Sequence, residues 1–327
     1  MPEVKKIIIN EDISGQRLDN FLLNQLKGVP KSKVYSIIRK GEIRVNSKRK
    51  KPSYKLVIGD EVRVPPIKTS SKENQFVPTN IIALLRDSIV EENEDYIALN
   101  KPEGIASHGG SGISIGVIET IRNFGKSYRD AKLVHRLDKD TSGLLVIAKN
   151  DKSMVHLSNQ FANKTSKREY IAMVWGNVKD DSGKIDNYIG RNPKNRLQNI
   201  VLDKYSISGG KRAVTNFEVI SRMNYVSLVK CILETGRTHQ IRVHMKHIGH
   251  TLFNDERYGG DSILKGTTFT KYKQFVDNCF KLLPRQALHA KTLGFIHPSN
   301  GKFMEFDSDL PVDFKSCIEK WENYSKG

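Results

Sequence analysis

The run Leu144-Leu145-Val146-Ile147-Ala148 contains no polar residue, and the four residues before it, Asp140-Thr141-Ser142-Gly143, are turn formers. A short apolar run bounded by a turn signal reads as a buried strand. Such a strand needs neighbours to cover it, so this segment places a sheet at the heart of the fold. The turn also brings chemistry to the strand's edge, because His135 and Arg136 sit just ahead of Asp138. Loops on a rigid scaffold are where catalytic groups concentrate. Adjacent positive charge favours the charged form of a carboxyl group, and an ionised carboxylate can act as a nucleophile. The plainer alternative is an Arg–Asp pair that staples the loop.

The chain's 54 Lys and Arg exceed its 36 Asp and Glu, a formal net charge of +18 over 327 residues. That balance favours a polyanionic partner, nucleic acid or an anionic membrane surface. No apolar run approaches the length of a bilayer-spanning helix, and Met1-Pro-Glu-Val-Lys-Lys6 lacks the apolar core of a secretory signal. Cys231, Cys279 and Cys317 are scattered and odd in number, which suggests neither a disulfide framework nor a zinc site. A cytoplasmic nucleic-acid-binding protein is expected, acting as a monomer.

The first 70 residues carry 16 Lys and Arg against 7 Asp and Glu, half of the net charge. Gln16–Leu26 has helical apolar spacing at Leu18, Phe21, Leu22 and Leu26. Ser32 is the expected cap of a second helix with a core face of Val34, Ile37 and Ile38, and Gly41 should stop it. Ile43–Asn46 and Leu56–Val64 read as strands. Lys31, Lys33, Arg39, Lys40, Arg44, Lys48, Arg49 and Lys50 crowd into this small unit and suit phosphate contacts. A solvated basic turn is the bland alternative for 48–51. The boundaries expected are a basic module at 14–66, a linker at 67–85 that follows Pro65-Pro66, and a main domain at 86–320. Strand-like and helix-like segments mix in the main domain without strict alternation, which points to an α+β class with a mixed, largely antiparallel sheet.

A second polar cluster is Thr235-Gly-Arg-Thr-His-Gln-Ile-Arg-Val-His-Met245. If it is helical, His239 and Arg242 lie near one face. Two histidines five residues apart admit a metal, but no nearby carboxylate or cysteine completes a set; phosphate binding or core packing is favoured. The glycines around His108-Gly-Gly-Ser-Gly112 could cradle phosphate through their amides, yet no nucleotide-binding loop is complete, so no nucleotide cofactor is expected. Tyr170, in Lys167-Arg-Glu-Tyr-Ile-Ala172, is by itself an ordinary strand tyrosine.

His-Arg-Leu-Asp-x-x-Thr-Ser-Gly at 135–143 resembles the active-site motif of the RluA-type pseudouridine synthases. The resemblance extends over about residues 14–312, and 17–22 with 40–46 resemble the S4 RNA-binding domain. It implies a central mixed sheet crossed by a cleft, and isomerisation of uridine to pseudouridine without a cofactor. It assigns Asp138 as nucleophile, Tyr170 to stack on the target base, Arg242 to pair with the aspartate, and Arg136 to the RNA where the uridine leaves. It implies 23S ribosomal RNA or a large-subunit precursor as partner. Residues 26–35 and 108–112 resemble the C type of large-subunit enzyme, while 191–196 and 233–237 resemble the D type. The residue pattern alone also admits a silent RNA-binding assembly factor with this fold, or another subtype with different target uridines.

Overall fold

The structure, a computed structural model, describes residues 4–11, 13–26, 29–67, 77–109, 115–203 and 209–326. The chain divides into two units, Met1–Phe76 and Val77–Gly327.

The first unit is a three-stranded antiparallel sheet with two helices. Its elements are β1 (Lys5–Ile8), α1 (Leu18–Gln25), α2 (Lys31–Lys40), β2 (Arg44–Val45) and β3 (Glu61–Val64), with strand order β1-β3-β2. Leu18, Phe21 and Leu22 of α1 meet Val34, Ile37 and Ile38 of α2 in one core with Val45 and Val62. Asp19 ties the two helices together: it is buried, accepts from Arg17 and from Tyr35 Oη, and is lowered to about 2, chiefly by Arg17. Gly41 ends α2 at φ +74°. Two expectations need correcting. Pro30, not Ser32, stands at the start of α2, because its fixed φ suits a helix entry and its missing N–H costs nothing there. The strand expected over 56–64 begins only at Glu61, since Val57 and Ile58 lie exposed in a turn held by Asp60 Oδ2 on Val57 N.

The second unit is built on an eleven-stranded sheet. In chain order it comprises α3 (Thr79–Asp87), β4 (Ile89–Glu92), β5 (Tyr96–Lys101), α4 (Val117–Arg122), β6 (Lys132–Leu133), β7 (Ser142–Ala148), α5 (Asp151–Asn163), β8 (Lys167–Trp175), β9 (Ser182–Arg191), β10 (Asn199–Val201), β11 (Lys211–Met223), β12 (Val226–Leu233), α6 (Gln240–His247), α7 (Thr270–Leu282), β13 (Leu288–Ile296), β14 (Phe303–Asp307) and α8 (Val312–Lys326). The main path runs β10-β9-β11-β12-β8-β13-β7-β5-β4, with β14 on β13 and β6 on β7. Of these pairings only β13 with β7 is parallel. The class is α+β with a mixed, mostly antiparallel sheet. Residues 79–85, expected as linker, belong to α3, whose Leu85 is buried in the main core and whose Ile82 packs against it.

Alternation along β8 divides the core. Tyr170, Ala172 and Val174 face one cluster, with Ile241 and Met245 of α6. Ile171, Met173 and Trp175 face another, with α7 and α8. In β7, Leu145 and Ile147 join the first cluster while Leu144, Val146 and Ala148 pack under Leu157 of α5. Both faces of β7 are therefore covered, which is why its sequence has no polar position. Gly143 enters β7 at φ +109°, where a Cβ would stand 2.2 Å from the Ala290 carbonyl oxygen of β13.

Candidate active site

Asp138 sits in the turn that feeds β7, Tyr170 on β8 two strands away, and Arg242 on α6, the helix after β12. The fold brings the three together. Arg242 Nη1 donates to Asp138 Oδ2 at 3.0 Å. Its Nε and Nη2 grip both oxygens of Asp255 at 2.7 Å each. One guanidinium thus spans a partly exposed carboxylate and a fully buried one: 17% of the Asp138 side chain is exposed, 6% of Arg242 and 0% of Asp255. Burial opposes the Arg242 charge, but Asp255 and then Asp138 outweigh it and hold its pKa above the ordinary value. Asp255 is itself fixed by the Tyr258 amide at 3.2 Å.

The carbonyls of the aspartate turn are pinned one after another. Ser107 Oγ donates to Leu137 O at 2.8 Å, and Thr141 N to Asp138 O at 3.2 Å. Lys101 Nζ reaches Lys139 O at 3.1 Å while also serving Pro102 O and Ile105 O. Arg285 Nη1 reaches Asp140 O at 3.1 Å, with Nε and Nη2 on Asp313. Lys101 is completely buried, and burial lowers it to about 7 against the opposing pull of Asp140.

Tyr170 lies between Cys231 of β12 and Ala290 of β13. Burial raises its phenol to about 12, so it stays protonated at neutral pH. Arg136 is exposed, and it and Asp138 line cavities of about 360 and 550 Å³ on either side of the carboxylate. His239 lies 3.7 Å from Asp138 and pairs with Tyr258 Oη at 2.9 Å, whereas His244 turns to Thr215 Oγ1. The two histidines face different partners. Burial, helped by Arg242 and opposed by Asp138, lowers His239. His135 packs against Phe161 and accepts from Val146 N.

Of the glycine cluster, 110–112 lie outside the described residues, and the Gly109 amide is taken by Glu119 Oε2. In the first unit Lys31, Lys33, Arg39, Lys40, Lys48 and Arg49 are exposed, while Arg44 and Lys50 are half-buried. Arg44 Nε is bonded to Gly41 O, and Lys50 lies over the Tyr54 ring. The sequence patterning missed Asp255, Arg285 and Arg168. Their signal is a charged residue at the start of a strand, Arg168, or in the loops before and after α7, Asp255 and Arg285. Nothing in that signal tells which distant group each one serves.

The profile described as RNA pseudouridylate synthase matches residues 95–247, and that of the S4 domain matches 16–62. "Ribosomal large subunit pseudouridine synthase C" of Escherichia coli (strain K12) is 40% identical over 324 residues, 98% of each chain. The protein of that name from Yersinia pestis is 42% identical over 322 residues, 97% of this chain and 95% of its own.

The chain belongs to the RNA pseudouridylate synthase family.

Two solved structures share the fold. "Human RNA Pseudouridylate Synthase Domain Containing 4" superposes with a TM-score of 0.59 at 20% identity, over 74% of this chain and 95% of its own. "Human RNA Pseudouridylate Synthase Domain Containing 1" gives 0.54 at 24%, over 70% and 86%. As a member of this family the protein is an RNA pseudouridine synthase with an S4 domain ahead of its catalytic domain. Among the described residues no helix is long and apolar enough to cross a membrane.

Proposed function

We propose that this synthase converts uridines of 23S ribosomal RNA to pseudouridine, with Asp138 as the nucleophile. The observation that carries the reading is the Asp138–Arg242–Asp255 bridge at the floor of a cleft lined by Arg136 and Tyr170. The substrate follows from relatives named for the large ribosomal subunit, about 40% identical along almost the whole chain.

In the reaction the N1–C1′ bond of uridine breaks, the uracil turns, and C5 bonds to C1′. The C5 proton leaves and N1 gains one, so the atoms balance without a co-reactant. A uracil within RNA structure must first leave its stack, at a cost of a few kcal/mol. Tyr170 offers a ring on which the extruded base can stack, a contact worth about 1–3 kcal/mol. Arg136, exposed at the cleft mouth, takes the place the base vacates. Arg242 aims Asp138, and Asp255 aims Arg242. The basic set on α2, on β2 and after it (Lys31, Lys33, Arg39, Lys40, Arg44, Lys48, Arg49 and Lys50) grips phosphates and contributes affinity without sequence information. The acceptor RNA is the naked 23S transcript or a large-subunit precursor.

The test is tritium release from 23S transcript labelled at uridine C5, with Asp138→Ala alongside. Release by the parent protein and none by the variant is expected. Equal release by both would remove Asp138 from its role. Release only from a different RNA would overturn the substrate.

A further inference from the structure

Among the described residues, Arg168 is a buried cation without a counter-charge. It is 5% exposed, at the start of β8 and two residues before Tyr170. Its Nη2 donates to the carbonyls of Leu233 and Glu234 at 3.3 and 3.1 Å. Among the described residues its Nε has no acceptor. No carboxylate answers its charge there either; burial lowers its pKa, and only Tyr170 opposes that. Buried charges are normally paired, and an unfilled charged donor in a well-packed site points to a missing acceptor.

The guanidinium lines the 360 Å³ cavity that opens beside Asp138 and Tyr170. Of the charged residues around that cavity four are cations, Arg136, Lys164, Arg168 and Arg237, and one is an anion, Asp138. The cavity across Asp138 differs, because Asp140, Glu256 and Asp261 offset its arginines. Gly236 leaves space for the guanidinium: a Cβ there would stand 2.9 Å from Arg168 Nη1 and meet nothing else within 4 Å.

We propose that this cavity is a phosphodiester subsite, in which Arg168 holds the RNA linkage next to the target uridine. The proposal rests on the reading of Asp138 and Tyr170 as the site of isomerisation. It adds a second anchor, on the strand that carries Tyr170. With the linkage fixed by Arg168, the extruded nucleotide is held at its backbone as well as at its base. The subsite reads the backbone and not the sequence.

Phosphate-ethylation interference tests this whichever uridine is the target. A C5-tritiated 23S transcript is ethylated sparsely at its phosphates and selected by binding to the intact protein. The excluded linkages are mapped beside the pseudouridines that the protein makes. The parent protein should reject RNA ethylated at a linkage flanking the modified uridine. Arg168→Met should lose that one interference and keep the rest, with KM raised about 10- to 100-fold, the range for a hydrogen bond to a charged group, and kcat lowered less. Arg168→Lys should restore part of the interference. Gly236→Ala keeps the charge but crowds the guanidinium, and should weaken the same linkage if Arg168→Met does not fold. An unchanged interference pattern in Arg168→Met, or in Gly236→Ala should Arg168→Met not fold, with pseudouridine still formed, would overturn the subsite. An absence of pseudouridine in parent reactions would instead overturn the underlying reading of the site.

Discussion

Arg242 serves two carboxylates at once, and only a planar fork can do that. Both oxygens of Asp255 are taken by Nε and Nη2, leaving Nη1 for Asp138. A lysine is a point charge on a flexible stem. Arg242→Lys can therefore satisfy one carboxylate or neither, and a buried carboxylate left without its partner costs about 3–5 kcal/mol. The expected outcome is at least a hundredfold loss of tritium release together with a lower urea midpoint. A variant with parental activity would show that Asp138 needs no aiming from α6. The aspartate and its neighbours were legible in the sequence because His135, Arg136 and Asp138 fall within four consecutive residues. Asp255 and Arg285 were not: Arg285 acts on a carbonyl 145 residues away in the chain, and that proximity exists only after folding.

At the scale of elements, the contact that positions the site is the close approach of β7 to β13. Gly143 adopts φ +109°, and an added methyl would press on the Ala290 backbone at 2.2 Å. Gly143→Ala should cost about 1–3 kcal/mol from backbone strain, with the clash on Ala290 added to it, read as a fall in the urea midpoint. A parental midpoint would mean that the two strands can part there without penalty. Sequence patterning reads such elements unevenly. The apolar run of β7 announced itself because both of its faces are covered. α7 was passed over although Tyr272, Val276 and Cys279, all buried, lie at helical spacing; its exposed lysines masked that stripe. The strand expected over 56–64 was too long because Val57 and Ile58 fit a strand by type but are bent away by the turn at Asp60.

Across the catalytic unit as a whole, acid should loosen the fold through two imidazoles. His244 and His289 are buried and lowered to about 4, in both cases chiefly by burial. Their unfolded value is about 6.5, so the unfolded chain takes up these protons first as pH falls. The stability they allow is complete above about pH 6.5 and is lost between there and about pH 4, at roughly 1.4 kcal/mol per pH unit for each. Urea midpoints at pH 7.5 and 5 should differ in that sense; a midpoint equal or higher at pH 5 would contradict it. The pinned carbonyls of the aspartate turn have a consequence in time. Their donors come from Ser107, Lys101 and Arg285 as well as from Thr141 within the turn, so the last of them leaves the ribosome 145 residues after the Asp140 carbonyl it holds. Nascent chains stalled before Arg285 emerges should release no tritium, and completed chains should. An RNA-modifying enzyme built this way would thereby stay inert while it is still a nascent chain, until Arg285 is free to fold back onto the turn.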